Sequence, residues 1–213
     1  SDIDRQNFTD TYSGYWLHFI EEGSGFKTHE YALFDNDNSQ YVTSWEATLD
    51  SACVISGLEL LENQTYSLHV RGIDSVDNVG DVLMSNGVLV DLSAPAVPVN
   101  LVGWFSSERI YLEWSQNLEV DLDHYSIYGG TDMNPTTLLS TTTDSTTEAF
   151  MPGFIDGTTY YLRISATDIP GNKSAFTAEV MGIPQPAVIT WVDPDTANVL
   201  NAEDTQLSIH FSQ

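Results

Sequence analysis

The chain has 213 residues, 41 % apolar and 11 % aromatic, enough to fill two small cores but without an apolar run long enough to cross a membrane. Thirty-one Asp and Glu stand against six Lys and Arg, and the net charge of −25 repels polyphosphate and anionic bilayers, so neither nucleic acid binding nor membrane insertion is expected. The same charge suits divalent cations or a salty medium that screens self-repulsion.

In chain order, nearly everything reads as strand and turn. The sequence opens at Ser1 in mid-pattern and reads as a piece of a longer polypeptide, with a first strand at or before Ser1. Asp35, Asn36, Asp37 and Asn38 have turn chemistry. Cys53 sits in an apolar run with Ala52, Val54 and Ile55 and reads as a buried hydrophobe, not a thiol nucleophile. Around Tyr66, alternation turns Leu68, Val70 and Gly72 inward with it and leaves His69 facing solvent. Pro95 and Pro98 make a short, stiff connector over residues 91–98. Ile110, Leu112 and Trp114 alternate inward, as do Tyr125 and Ile127, and Gly129-Gly130 reads as a turn. Tyr160, Leu162, Ile164 and Ala166 point to a core, while Arg163 and Ser165 point away. Asp156-Gly157 and Pro170-Gly171-Asn172 read as turns, and Phe176, Ala178 and Val180 resume the inward pattern. After Pro184 and Pro186 come two strand-like pieces near residues 188–192 and 206–211. No stretch carries a 3.6-residue amphipathic period.

The chain also repeats itself. Tyr160 lies 94 positions after Tyr66, and Leu60/Phe154, Glu62/Asp156 and Asn78/Asn172 keep that spacing. A period of this size is one small domain rather than a solenoid unit. The expectation is an all-β chain of tandem antiparallel β-sandwiches: residues 1–94, residues 95–184, and the start of a third, truncated domain over residues 185–213, since two strands do not make a stable sandwich.

Residues 95–184 resemble a fibronectin type III domain. The resemblance rests on the Pro98-Val99-Asn100-Leu101 opening, Trp114 on the second strand, Tyr125-Ser126-Ile127-Tyr128 on the third, and Phe154 six residues before Tyr160, the position of the tyrosine corner. Residues 1–94 resemble a more divergent relative, through Ser24-Gly25, Tyr31-Ala32-Leu33, Leu60 with Tyr66, Asp74 and the closing Val88-Leu89-Val90-Asp91. They depart in lacking a Pro-rich opening and a tryptophan aligned with Trp114; Trp16 is offset. Residues 187–213 resemble the first strands of a bacterial Ig-like domain.

No constellation for catalysis stands out. His18, His29, His69, His124 and His210 are scattered, with no zinc spacing, nucleophile elbow or phosphate-cradling loop. The acidic loops are the candidate metal ligands. The fold implied by the resemblance would bring Glu119, Asp121 and Asp123 to the same pole as Asp168 and Asn172, with Asp91 leading into it. Calcium takes about six to eight such oxygens, so Ca2+ is the expected cofactor if there is one. The alternative is that Asp168 accepts backbone amides of its own turn and the other carboxylates are simply solvated. A similar set in the first repeat, Glu21, Glu22, Asp74 and Asp77, is spaced differently. Tyr111, Tyr128 and Tyr161 alternate outward and are the candidate ligand-contact residues, a stacking face for carbohydrate or a surface protein.

These features point to a non-catalytic structural or adhesive spacer of a large extracellular or cell-surface protein, stiffened by calcium, whose first partners are neighbouring domains of the same polypeptide. The alternative is an accessory region of a secreted polysaccharide hydrolase.

Overall fold

The computed structural model describes residues 4–17, 19, 23–187, 189–193 and 208–211. It divides into two compact units, Ser1–Ala94 with Ile169–Asn172, and Pro95–Asp168 with Lys173–Gln213. Among the described residues there is strand and turn but no helix.

The first unit is built from β1 (Arg5–Gln6), β2 (Thr11–Tyr15), β3 (Phe26–Asp35), β4 (Gln40–Tyr41), β5 (Glu46–Thr48), β6 (Ala52–Ser56), β7 (Thr65–Asp74), β8 (Leu83–Met84) and β9 (Val88–Val90). Its larger sheet runs β1-β9-β7-β3-β4, with β5 also on β3 and β8 also on β7. Its smaller sheet is β2 against β6. The second unit contains β10 (Val99–Ser106), β11 (Arg109–Ser115), β12 (Leu122–Gly130), β13 (Leu138–Thr143), β14 (Glu148–Pro152), β15 (Tyr160–Asp168) and β16 (Val180–Gly182). These form two antiparallel sheets, β10-β11-β14 and β13-β12-β15-β16. Ile110, Leu112 and Trp114 from one sheet meet Tyr125, Leu162 and Ile164 from the other. Each such side chain contributes about 1.5–3 kcal/mol on burial. β17 (Ile189–Asp193) and β18 (Ser208–Phe211) pair antiparallel. Most of the expected Ig-like segment over residues 187–213, and Glu21 and Glu22, lie outside the described residues.

The repeat in sequence is a repeat in hydrogen bonds. Asn63 N–H donates to Val90 O at 2.8 Å, and Gly157 N–H to Pro184 O at 2.9 Å, each pair displaced by 94. Gly80 N–H to Gly72 O recurs as Ser174 N–H to Ala166 O, both at 2.9 Å. Asn63 and Gly157 take positive φ at 60° and 81°, a conformation that Asn and Gly adopt at least cost. Trp16 is the counterpart of Trp114 after all. Trp16 N–H donates to Ser51 O at 2.9 Å and Trp114 N–H to Thr147 O at 3.0 Å. Their rings lie 5.9 Å from Tyr31 and 5.3 Å from Tyr125. The two Trp are 98 residues apart rather than 94 because the chain between Trp16 and Tyr31 is four residues longer.

Several expectations from alternation are corrected. A strand at or before Ser1 lies outside the described residues; the first described strand, β1, pairs parallel with β9 on the larger sheet. His69 is buried, with its ring stacked on Phe34 at 4.6 Å and its Nδ1 3.1 Å from the Tyr41 hydroxyl, because Phe34 of β3 and Tyr41 of β4 cover that face. Ser165 is also buried, since Tyr128, Lys173 and Phe176 cover its face of β15. Phe176 therefore lies on the outside of that sheet and not in the core. Gly129-Gly130 is strand, not turn: a Cβ on Gly129 would lie 2.5 Å from Leu139 Cδ1, so the glycine admits Leu139 from β13.

Candidate functional site

The carboxylates expected to bind metal divide between the two units, and each set is described within its own. In the second unit β12 and β15 pair antiparallel, with Leu122 opposite Asp168. That register carries Asp121, just before β12, to the end of β15. Asp121 and Asp168 bring carboxylate oxygens within 4.8 Å of each other. Asp168 is buried and Asp121 half-buried, and both have further protein partners. Glu119 and Asp123 stand outside that pairing. Glu119 accepts the Ala96 N–H at 2.6 Å. Burial works to raise its carboxyl, but Ala96 and neighbouring donors outweigh this and hold it below its ordinary value. Asp123 is exposed and lies 2.7 Å from His124 Nδ1. In the first unit, Asp91 is buried, accepts Arg5 Nη1 at 2.9 Å and takes the Ser93 N–H at 3.1 Å. Three of the five expected ligands thus have a protein hydrogen-bond or ion-pair partner of their own.

Asp74, the counterpart of Asp168, takes the Asx-type role. Its Oδ1 accepts Val76 N–H at 3.0 Å and Asn78 N–H at 2.7 Å, and its Oδ2 accepts Asn78 Nδ2 at 2.7 Å and the Ser24 hydroxyl. The Ser24 hydroxyl first, and then the Asn78 and Val76 donors, hold the Asp74 carboxyl down to about 2. Asp77 and Gly171, again 94 apart, complete the two turns at φ 69° and 98°.

The three tyrosines do not share a face. Tyr111 lies on β11, half-exposed beside Trp104 at 5.3 Å, and donates to Glu148 at 2.5 Å, which first of all raises its hydroxyl to about 12. Tyr128 and Tyr161 belong to the other sheet, on β12 and β15. Tyr128 is not the exposed residue expected from alternation. Lys173 lies over its ring at 4.4 Å and donates to its hydroxyl, and Phe176 crosses it edge-on at 5.0 Å. Burial tends to raise the Tyr128 hydroxyl, yet Lys173 brings it below its usual value.

Sequence reasoning missed the aromatic–cation ladders. Arg71 lies 4.1 Å over Trp45 while pairing with Glu30, and Arg163 lies 3.8 Å over Phe176. Arg71 and Arg163 lie close to the 94-residue spacing, at 92, and that near-match was the available signal. His29 was also missed: it is fully buried among Phe26, Phe19 and Trp16. Cys53 is buried as expected, and desolvation first of all pushes its thiol up to about 11.

No protein-family model and no curated protein matches the chain. Among solved structures it is similar to the FN1–FN3 domains of chicken CNTN1, with TM-score 0.56 and 14 % identity over 87 % of this chain and 66 % of that one. The fold is tandem fibronectin type III. A two-domain fibronectin type III segment of chicken tenascin matches at TM-score 0.38 and 11 % identity, over 85 % of this chain and 96 % of that one. An Fn3-like protein from Clostridium thermocellum matches at TM-score 0.38 and 26 % identity, over 45 % of this chain and 98 % of that one. The fold assignment rests on the first of these alone, and the chain spans just under two thirds of that structure's length.

Proposed function

We propose that this chain is a non-catalytic spacer, a modular stretch of a large extracellular or cell-surface protein that holds other domains apart or presents them to a surface. The observation that supports this reading is the hydrogen-bonded repeat: the same tyrosine, aspartate and tryptophan positions are rebuilt in each fibronectin type III-like unit, joined by a connector containing Pro95 and Pro98. Repeating a scaffold extends reach, whereas catalysis needs converging reactive groups. The strong negative charge fits an exposed, solvated life, and partners would be neighbouring domains of the same polypeptide, with carbohydrate or a surface protein as adhesive targets.

Small-angle scattering tests the spacer reading. One compact body of this length has a radius of gyration of about 17 Å. A spacer is expected to exceed that clearly and to keep its dimension after gentle proline-preserving handling in physiological salt; a value near the compact figure sinks the proposal. Calcium enters the proposal only as a stiffening ion on Asp121 and Asp168, and its test is given among the predictions below.

A further inference from the structure

The two units differ in one strand, and that difference leaves a groove. In the second unit β10 lies along β11, placing Trp104 opposite Tyr111 and Val102 opposite Glu113. Leu101 and Phe105 of β10 pack against the core. In the first unit β2 takes the place of β11: Tyr12 pairs with Ile55 and Gly14 with Cys53, as Ile110 pairs with Met151 and Leu112 with Ala149. The one described strand that precedes β2, β1, is on the other sheet, where it pairs with β9. Among the described residues β2 has β6 as its only strand partner.

Trp16 N–H points to Ser51 O, so by alternation Gly14 and Tyr12 face β6, while Ser13 and Tyr15 turn their backbone N–H and C=O to the open side. Tyr15 is 80 % exposed. Beside this edge runs a groove of about 700 Å³ lined by Tyr12, Gly14, Cys53, Leu68, Asn86 and Val88, among others, and no charged side chain lines it. An uncharged groove is out of keeping with its surroundings, since residues 1–94 carry sixteen Asp and Glu against Arg5, Lys27 and Arg71.

We infer that β2 accepts an added strand: an extended, uncharged peptide segment of a partner polypeptide, flanked by Lys or Arg, pairing antiparallel with residues 13–15 and setting its inward side chains into this groove. The second unit shows the occupant's backbone, and the lining dictates its side chains. Val88 stands where the second unit has Gly182. In the second unit the Phe105 ring needs Gly182, whose added Cβ would lie 2.3 Å from Phe105 Cδ2. Gly14 opens no room of its own, since an added Cβ there would lie 2.5 Å from Leu68 Cδ2. The segment that fits therefore keeps a small residue at the Gly103 position, over Gly14, and carries one smaller than Phe at the Phe105 position, beside Val88. The acidic surroundings select cationic flanks and disfavour a second copy of this chain, which bears the same charge.

The test uses the full chain and dye-labelled peptides with the sequence of Val99–Ser106, two Lys at each end, and either no change or Phe105→Val. The Phe105→Val peptide is expected to bind one to one, and roughly tenfold more tightly than the unchanged one. N-methylation at its Val102 and Trp104 positions is expected to weaken binding by about tenfold or more, while N-methylation at position 103 is not. The variant Ser13→Pro, an edge position where proline is tolerated, is expected to lose the peptide while keeping the melting temperature. Peptide methylation leaves the protein untouched, so it reports even if that variant fails to fold. Absence of binding, equal binding of both peptides, or indifference to methylation overturns the inference. So does slow amide exchange at Ser13 and Tyr15 without peptide: in a monomer it means the chain's own residues cover the edge, and in a dimer that a second copy does.

Discussion

The hydroxyl of Tyr160 accepts the backbone N–H of Ile155 at 3.2 Å, five residues earlier in the chain. Ninety-four residues before, Tyr66 does the same for Leu61 at 3.0 Å. Each bond ties the approach loop to the start of the long strand that follows it. Removing the acceptor strands an N–H, at a cost of about 1–3 kcal/mol where the group is buried. Tyr66→Phe is expected to cost more than Tyr160→Phe, because Tyr66 is buried and Tyr160 half-buried. Urea unfolding followed separately for each unit measures both, and equal stability of Tyr66→Phe and the parent chain would remove the corner from the account.

His69 makes the first unit sensitive to mild acid. Desolvation lowers its folded pKa below 6.5. Above that value both states hold a neutral ring and nothing changes. As pH falls through 6.5 toward the lower folded value, the unfolded chain takes up the proton first, so stability declines across that window and then levels off. Asp74 acts in a lower window. Its carboxyl, held down to about 2, contributes stability that is intact above the ordinary carboxylate range and is lost as pH falls from about 4 toward 2. Melting curves of the parent, His69→Phe and Asp74→Asn separate the two: the first variant should flatten only the upper window, the second only the lower.

How far these features were legible from residues alone depends on what each requires. Strand alternation at Ile110, Leu112 and Trp114 and the 94-residue period both survive in the folded chain, because they follow from one-sided burial and from duplication. Alternation failed at His69, Ser165 and Tyr128 for a common reason: it separates two faces of a sheet but does not say whether a later segment covers the outer one. Here Tyr41 and Phe176, distant in sequence, do so. Gly129-Gly130 failed because glycine serves close approach as well as turning. The two-residue β1 is too short to carry any pattern, and so the open side of β2 was invisible. Of the acidic residues, the fibronectin type III resemblance implied that Glu119, Asp121 and Asp123 share a pole with Asp168, but nothing in the residues showed that Glu119 accepts a backbone amide instead.

Gly182 marks the tightest approach in the second unit. An added methyl would meet the Phe105 ring at 2.3–2.5 Å. Gly182→Ala is expected to destabilise that unit by about 1–3 kcal/mol through overpacking, and Phe105→Leu in the same chain should recover part of the loss. A double-mutant cycle measures the coupling, and additive losses would show that Phe105 moves away freely.

Calcium and simple screening are separable at matched ionic strength. Sodium chloride alone should raise the melting temperature between low and physiological salt, by relaxing repulsion in a chain of charge −25. If Asp121 and Asp168 hold calcium, millimolar calcium after chelation adds a further rise of several degrees that Asp168→Asn abolishes. Coincident curves for the two salts would discard the ion.

The scarcity of cations has a consequence for durability. Each of the six basic side chains is engaged within its own unit: Arg5 with Asp91, Lys27 with Asp77, Arg71 over Trp45, Arg109 over Phe150, Arg163 over Phe176 and Lys173 over Tyr128. A trypsin-like protease must draw such a side chain into its own acidic specificity pocket, and here it would first have to peel the residue from its ring or carboxylate. The folded chain is therefore expected to outlast, in a trypsin digest, the span it survives with a protease that cuts after glutamate, a difference readable on a gel as persistence of the intact band.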